Sequence, residues 1–144
     1  MNNKPIFNWN EESGIATCII EARNKIFFGT AQCHEEDRDM LSEKTGCEIA
    51  CIRATIDALQ DYKNNEIKPA LNALKQLYYS MNRSKNFNPK SYENKMLWRQ
   101  IRQKENELEL IKTMINTSKQ NLKAFIDKKE QLYQMLRNNR KGQN

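Results

Sequence analysis

The chain has few of the residues on which catalytic and phosphate-binding sites usually depend. Its 144 residues include one histidine and four glycines, and no glycine-rich phosphate loop is among its motifs. The histidine, His34, directly follows Cys33 in a predicted strand, and adjacent strand residues point to opposite faces, which excludes a nucleophilic pair between the two. We therefore predict that the protein is not an enzyme and uses no cofactor.

Apolar runs are short as well. No run is long enough to cross a membrane, and the first residues lack the apolar core of a signal peptide. The sequence predicts a cytoplasmic protein with no membrane partner, in which the cysteines are reduced thiols. Many Asn and Lys residues are typical of an AT-rich genome, so the expected setting is the cytoplasm of a bacterial host.

Charge is unevenly distributed along the chain. The formal net charge is +6, yet residues 35–61 hold eight acidic residues against three basic ones. Two later blocks, residues 83–104 and 119–141, are basic. This pattern predicts an acidic head followed by a basic helix, which favours anionic partners.

Alternating small and apolar residues between positions 15 and 33 predict an antiparallel hairpin. With a turn at Asn24 and Lys25 and with Arg23 opposite Ile26, one face collects the small residues and is predicted to be buried. A two-stranded ribbon is only marginally stable alone, so we expect helices to pack on this face. Its residues are Ala16, Cys18, Ile20, Ala22, Phe27, Gly29, Ala31 and Cys33.

Two helices are predicted after the hairpin, over residues 42–62 and 66–81. The first carries a ridge of small residues that permits close approach to a sheet. The second carries an apolar stripe, and Pro69 fits only within its first turn. Together with the hairpin they form a predicted head domain, residues 1–82, followed by a polar linker at 83–88. The ridge consists of Cys47, Ala50, Cys51, Ala54 and Ala58.

A third, much longer helix is predicted over residues 89–138, where apolar residues recur four and three positions apart. Asn88 and Pro89 suit its start, and residues 139–144 are expected to be a disordered tail. At 1.5 Å per residue the helix is about 70 Å long, more than so small a head can cover. Its apolar stripe consists of Leu97, Ile101, Leu108, Ile111, Ile115, Leu122, Phe125, Leu132 and Leu136.

The sequence therefore predicts that a second copy of the helix covers this stripe and makes the protein a homodimer, with a partner protein as the alternative. Polar residues interrupt the stripe at Lys104, Ser118 and Lys129, which favours a low oligomer. Weak helix formers at 116–118 indicate a bend or break. The predicted fold class is α+β and mostly helical, with a short antiparallel hairpin packed on two helices, then a long amphipathic, coiled-coil-like helix.

Two short segments carry a resemblance to a known group of proteins. They are FGTAQCHEED, from Phe28 to Asp37, and TGCEIACIRA, from Thr45 to Ala54. They resemble small phage and prophage proteins in which a Gly-x-Ala-x-Cys strand precedes an acidic turn and a helix, in a domain similar to the double-stranded-RNA-binding fold. The resemblance covers about residues 15–59 and implies a phage origin more than it implies RNA binding.

The cysteines allow two interpretations. Two lie on the buried hairpin face and two on one helix face, so the thiols could converge on a metal ion. Their spacing matches no standard zinc pattern, and cysteine also serves as a small buried apolar residue. We favour packing and predict no metal site, with Cys18, Cys33, Cys47 and Cys51 as the alternative zinc ligands. We likewise interpret an acidic cluster as helix-start carboxylates and not as cation ligands; it comprises Glu35, Glu36, Asp37 and Asp39.

Basic and aromatic residues are interleaved between positions 83 and 102. Cations can follow a phosphate backbone and exposed rings can stack on bases, as in proteins that bind single strands. The alternatives are the solvated outer face of a coiled coil and an acidic protein surface as the partner. The predicted residues for binding nucleic acid or an acidic partner are Lys85, Lys90, Lys95, Trp98, Arg99 and Arg102.

These features favour a binding protein. Our first hypothesis is a non-enzymatic, phage-type accessory protein that binds a host protein or ribonucleoprotein complex and modulates or inhibits it. The target could be a nucleic-acid-loaded defence system, in which case the protein would act as an anti-CRISPR-like inhibitor. The alternative is a protein that binds nucleic acid directly through its basic helix. A further alternative is a zinc-binding structural protein.

Overall fold

The structure is a computed structural model that describes residues 4–33, 42–83 and 88–142. Its class is α+β and mostly helical, which confirms the predicted class. The chain divides into two compact units: unit 1 comprises Met1–Ala58 and Asn116–Asn144, and unit 2 comprises Leu59–Ile115. The elements in chain order are strands β1 (Ile6–Asn10), β2 (Ile15–Ala22) and β3 (Lys25–Gln32), then helices α1 (Ser42–Tyr62), α2 (Lys68–Asn82) and α3 (Tyr92–Gly142).

The sheet has three antiparallel strands in the order β1-β2-β3, one more than the predicted hairpin. The turn between β1 and β2 is built around Asn10, whose Oδ1 accepts the backbone N–H groups of Glu12 (2.9 Å) and Ser13 (3.1 Å). Gly14 closes the turn at φ 69°, a left-handed conformation that suits glycine. The asparagine and glycine therefore fix β1 against β2.

The predicted register of β2 against β3 is wrong by two residues. Arg23 and Asn24 both have positive φ, 53° and 62°, so they form the two-residue turn and leave Ala22 opposite Lys25. A shift of two keeps every side chain on its predicted face, because side chains alternate with a period of two. It does change the neighbours: Cys18 lies opposite Gly29.

Unit 1 is built on a very close approach between the sheet and α1. A Cβ at position 29 would overlap the carbonyl oxygen of Ala50 and lie 2.6 Å from the backbone nitrogen of Ala54, so only glycine fits. The Arg23 guanidinium also donates to the Ala58 carbonyl oxygen at 3.0 Å, which joins the hairpin turn to the helix. The buried core of this contact consists of Ala16, Cys18, Ala31, Ile49, Ala50 and Ala54, with Leu122, Phe125 and Ile126 of α3 packed against it.

In unit 2 the first two helices are joined without the non-helical residues predicted at 63–65. A π-helical segment, Lys63–Ile67, joins α1 to α2, and the Lys68 N–H donates to the Lys63 carbonyl five residues back. Pro69 follows within the first turn of α2, as predicted, where its missing N–H costs little. Two clusters then pack along α3: Ile67 with Ile111 and Ile115, and Leu71 with Leu97 and Ile101.

Helix α3 begins three residues later than predicted. Asn88 Oδ1 accepts the Lys90 N–H at 3.0 Å, which forms a turn before the helix, and Ser91 Oγ accepts the Asn94 N–H at 3.3 Å in the manner of an N-cap. The helix runs on to Gly142, beyond the predicted end at 138, with no break at 116–118. Residues 84–87, most of the predicted linker, lie outside the described part of the chain.

Candidate functional site

The predicted oligomerisation stripe is largely occupied within the chain itself. Four of its residues are buried by the helices of unit 2, and Leu122 and Phe125 pack on the core of unit 1. The expectation that the chain cannot cover the apolar stripe of its own long helix is therefore wrong, because earlier parts of the same chain pack against α3. Self-association remains a prediction. The buried four are Leu97, Ile101, Ile111 and Ile115; Leu108, Leu122, Phe125 and Leu136 are half-buried, and Leu132 is exposed.

The four cysteines are free thiols, and three of them, Cys18, Cys47 and Cys51, lie close together. The observed register places Cys33 beside Gly14, four residues along β3 from the position opposite Cys18. Burial, followed by the neighbouring Cys51 and Cys47 thiols, raises the pKa of Cys18 to about 12, so this thiol stays protonated at neutral pH. Within residues 4–33, 42–83 and 88–142, no group of three potential ligands forms a metal site. His34, Glu35, Glu36, Asp37 and Asp39 lie outside these ranges.

The predicted basic and aromatic residues of α3 lie together on one side of the helix in unit 2. We call Lys95, Trp98, Arg99 and Arg102, together with Tyr78 of α2, the basic-aromatic face. The guanidinium carbon of Arg102 lies 5.4 Å from the Trp98 ring centroid, and the Tyr78 ring is 5.4 Å away at an interplanar angle of 41°. Both neighbours hold the indole in place, and it remains 44% exposed.

The basic-aromatic face is positively charged, and no carboxylate among the described residues pairs with its Lys95 or Arg99 side chain. Lys95 and Arg99 are exposed and make no ion pair with any other described residue. Further along α3 the pattern changes: Lys104 pairs with Glu107 at 3.1 Å and Lys112 with Glu109 at 3.5 Å. The first turns of α3 therefore present cations that remain available to a partner.

Two more aromatic residues of unit 2 are exposed: Tyr92, three residues before Lys95, and Tyr79, which follows Tyr78 in the chain. Lys90 is exposed just before α3, and Lys85 lies outside the described residues. Sequence reasoning missed Tyr78 as a member of the basic-aromatic face, because its contact with Trp98 depends on how α2 packs against α3. Its position on the apolar stripe of α2 was the only signal available.

The other unusual surface is the outer face of the sheet in unit 1, which points away from α1. The register aligns Ile6, Ile19 and Phe28 in one row across all three strands, and Phe28 is 65% exposed. Ile26, 71% exposed, lies beside this row. Glu21 is the one charged residue among the paired positions of this face. We call Ile6, Ile19, Ile26 and Phe28 the apolar sheet face.

Comparisons with protein-family models, with curated proteins and with solved structures find no match to this chain. Function is therefore inferred from the geometry and chemistry of the residues alone.

None of the helices that the structure describes is both long enough and apolar enough to span a membrane.

Proposed function

We propose that this protein is a non-enzymatic binding protein of the bacterial cytoplasm that holds single-stranded nucleic acid on its basic-aromatic face. The observation that carries the proposal is the half-exposed Trp98, which contacts Tyr78 and Arg102 and lies next to unpaired cations. Stacking on an aromatic ring and charge contacts to phosphates are the two interactions that single-strand binders combine.

The geometry also sets the expected size of the effect. Lys95 and Arg102, with Arg99 between them, are seven residue steps apart on α3, about 10 Å at 1.5 Å per residue, which suits a short stretch of nucleic-acid backbone. Three phosphate contacts predict that the logarithm of the binding constant falls with the logarithm of salt concentration with a slope of about −2 for a single strand.

The test is fluorescence anisotropy with a labelled single-stranded 12-mer, DNA or RNA, across a salt series. Arg99→Gln with Arg102→Gln should weaken binding and reduce the slope to about −0.7, since one cation remains. The matched control, Lys119→Gln with Lys123→Gln, removes the same charge from exposed positions of α3 in unit 1. Equal loss of binding in the two double variants would refute a localised site.

Stacking is tested separately from charge. Trp98→Leu keeps an apolar side chain but removes the ring, and it should weaken binding about tenfold with little change in salt slope, whereas Trp98→Phe retains most of the affinity. If both variants bind as the wild type does, the indole packs on Tyr78 and has no role in recognition.

A second candidate function rests on the apolar sheet face. Its aligned, charge-poor row is typical of a surface that contacts another protein. It fits the part of our first sequence hypothesis in which a non-enzymatic accessory protein binds a host complex, with the sheet face as the contact surface instead of the basic helix. Phe28→Lys should remove one defined protein from a nuclease-treated bacterial pull-down that wild type and the Lys119→Gln/Lys123→Gln control retain. A partner lost only on nuclease treatment would favour nucleic-acid binding instead.

A further inference from the structure

A pocket of about 260 Å³ lies in unit 1 between the start of α1 and the last third of α3. It is separate in its residues from the basic-aromatic face and from the apolar sheet face. The residues that matter here are Lys44 and Glu48 of α1, and Phe125, Lys128, Lys129 and Leu132 of α3.

The lining carries an excess of positive charge. It contains three lysines and one carboxylate, that of Glu48. Lys44 and Lys128 are exposed and form no ion pair with the rest of the described chain. The Lys129 ammonium lies 5.6 Å from the centre of the Tyr133 ring, and that ring is buried, so this cation is held in position.

The lining also contains apolar side chains. Phe125 and Leu132 are about two turns apart on α3 and share one face of the helix with Lys128 and Lys129. Lys44 lies in the first turn of α1, where the helix dipole adds to the attraction for a negative group. An occupant therefore needs both an anionic head and an apolar body.

The volume narrows the class of ligand further. At about 260 Å³ the pocket is smaller than the pockets that hold drug-sized ligands, about 300 Å³ and above. We propose that this pocket binds a small amphipathic anion, a carboxylate with a short aliphatic body.

The first experiment is isothermal titration calorimetry of the full chain with octanoate, with octan-1-ol and octylamine as neutral and cationic probes of equal length. Octanoate should bind saturably, one molecule per chain, and weaken as salt is raised, while octanol binds more weakly and octylamine does not bind. Failure of octanoate to bind, or equal binding of octanol, would overturn the proposal.

Variants then locate the site. Lys44→Gln with Lys128→Gln should weaken octanoate binding about tenfold, whereas Lys119→Gln with Lys123→Gln should leave it unchanged. Leu132→Asp should abolish binding by replacing an apolar side chain of the lining with a carboxylate. Because Leu132 is an exposed residue, the fold should persist, as circular dichroism can verify. Equal affinity in the two double variants would show that octanoate binds elsewhere.

Discussion

The cores of units 1 and 2 differ in the size of their side chains, and the difference decides which changes each unit tolerates. Unit 1 packs alanine, cysteine and glycine so that the backbone of α1 nearly touches β3. Unit 2 packs isoleucine and leucine between helices. Interiors are close-packed in both cases, so unit 1 is expected to fail when a side chain is enlarged, and unit 2 when one is truncated.

The largest effect is expected at the closest contact of unit 1. Gly29→Ala places a methyl group against the Ala50 carbonyl and the Ala54 nitrogen, both of them backbone atoms that cannot move aside alone. We expect the free energy of unfolding to fall by about 3 kcal/mol or more, measured by urea denaturation.

The matched control for this change is Gly142→Ala, where an added Cβ meets no atom within 4 Å. It should leave the unfolding midpoint within experimental error. If Gly29→Ala folds in poor yield, a lower thermal midpoint in its soluble fraction still tests the contact. Equal stability of the two alanine variants would show that the close approach of β3 to the α1 backbone does not require glycine at position 29.

Unit 2 should show the opposite sensitivity. Ile101 is 1% exposed among Leu71 and Leu97, so Ile101→Ala leaves a cavity and should lower the free energy of unfolding by about 2–5 kcal/mol. Leu110→Ala on the same helix removes a side chain that is 60% exposed and should change it by less than about 0.5 kcal/mol.

The same pair sharpens the question of self-association. If a second copy covers α3, the cost of Leu110→Ala will rise with protein concentration, because a stabilising partner acts by mass action. If Leu110→Ala lowers the free energy of unfolding only slightly at every protein concentration, then no second copy covers this part of α3, and its buried apolar residues are covered within the chain.

The features that the sequence could predict are those that depend on local patterns. The bounds of α1 match the predicted 42–62, and the faces of the hairpin are correct, because both follow from the period of apolar residues. The register failed because it depends on which residues form the turn, and the positive φ of Arg23 is unusual for a residue other than glycine or asparagine. Strand β1 was missed because five residues with two asparagines give a weak alternation.

The features that the sequence could not predict depend on long-range packing. The apolar period of α3 indicated that its stripe is buried, but it could not indicate that Ile67 and Leu71 of the same chain bury it. Likewise, the interleaving of basic and aromatic residues made Trp98 and Arg102 candidates for recognition, whereas the ring contact from Tyr78 depends on how α2 packs. The row across the apolar sheet face needed β1, which brings Ile6 beside Ile19.

The smallest expected effect concerns a polar contact that sits at the edge of the unit 2 core. The Tyr62 hydroxyl donates to Glu107, and this hydrogen bond, followed by that from Lys104, holds the pKa of Glu107 below its usual range. A carboxyl with a lowered pKa in the folded state stabilises that state above the pKa of the unfolded chain, about 4.3, and the contribution is lost as pH falls through the folded value.

Tyr62→Phe should therefore lower the free energy of unfolding by about 0.5–1 kcal/mol at pH 7 and by less at pH 3. Urea denaturation at the two pH values checks this, with Tyr79→Phe, an exposed tyrosine, as the control. A cost of Tyr62→Phe that is the same at pH 7 and pH 3 would mean that the tyrosine acts through packing and not through the carboxylate.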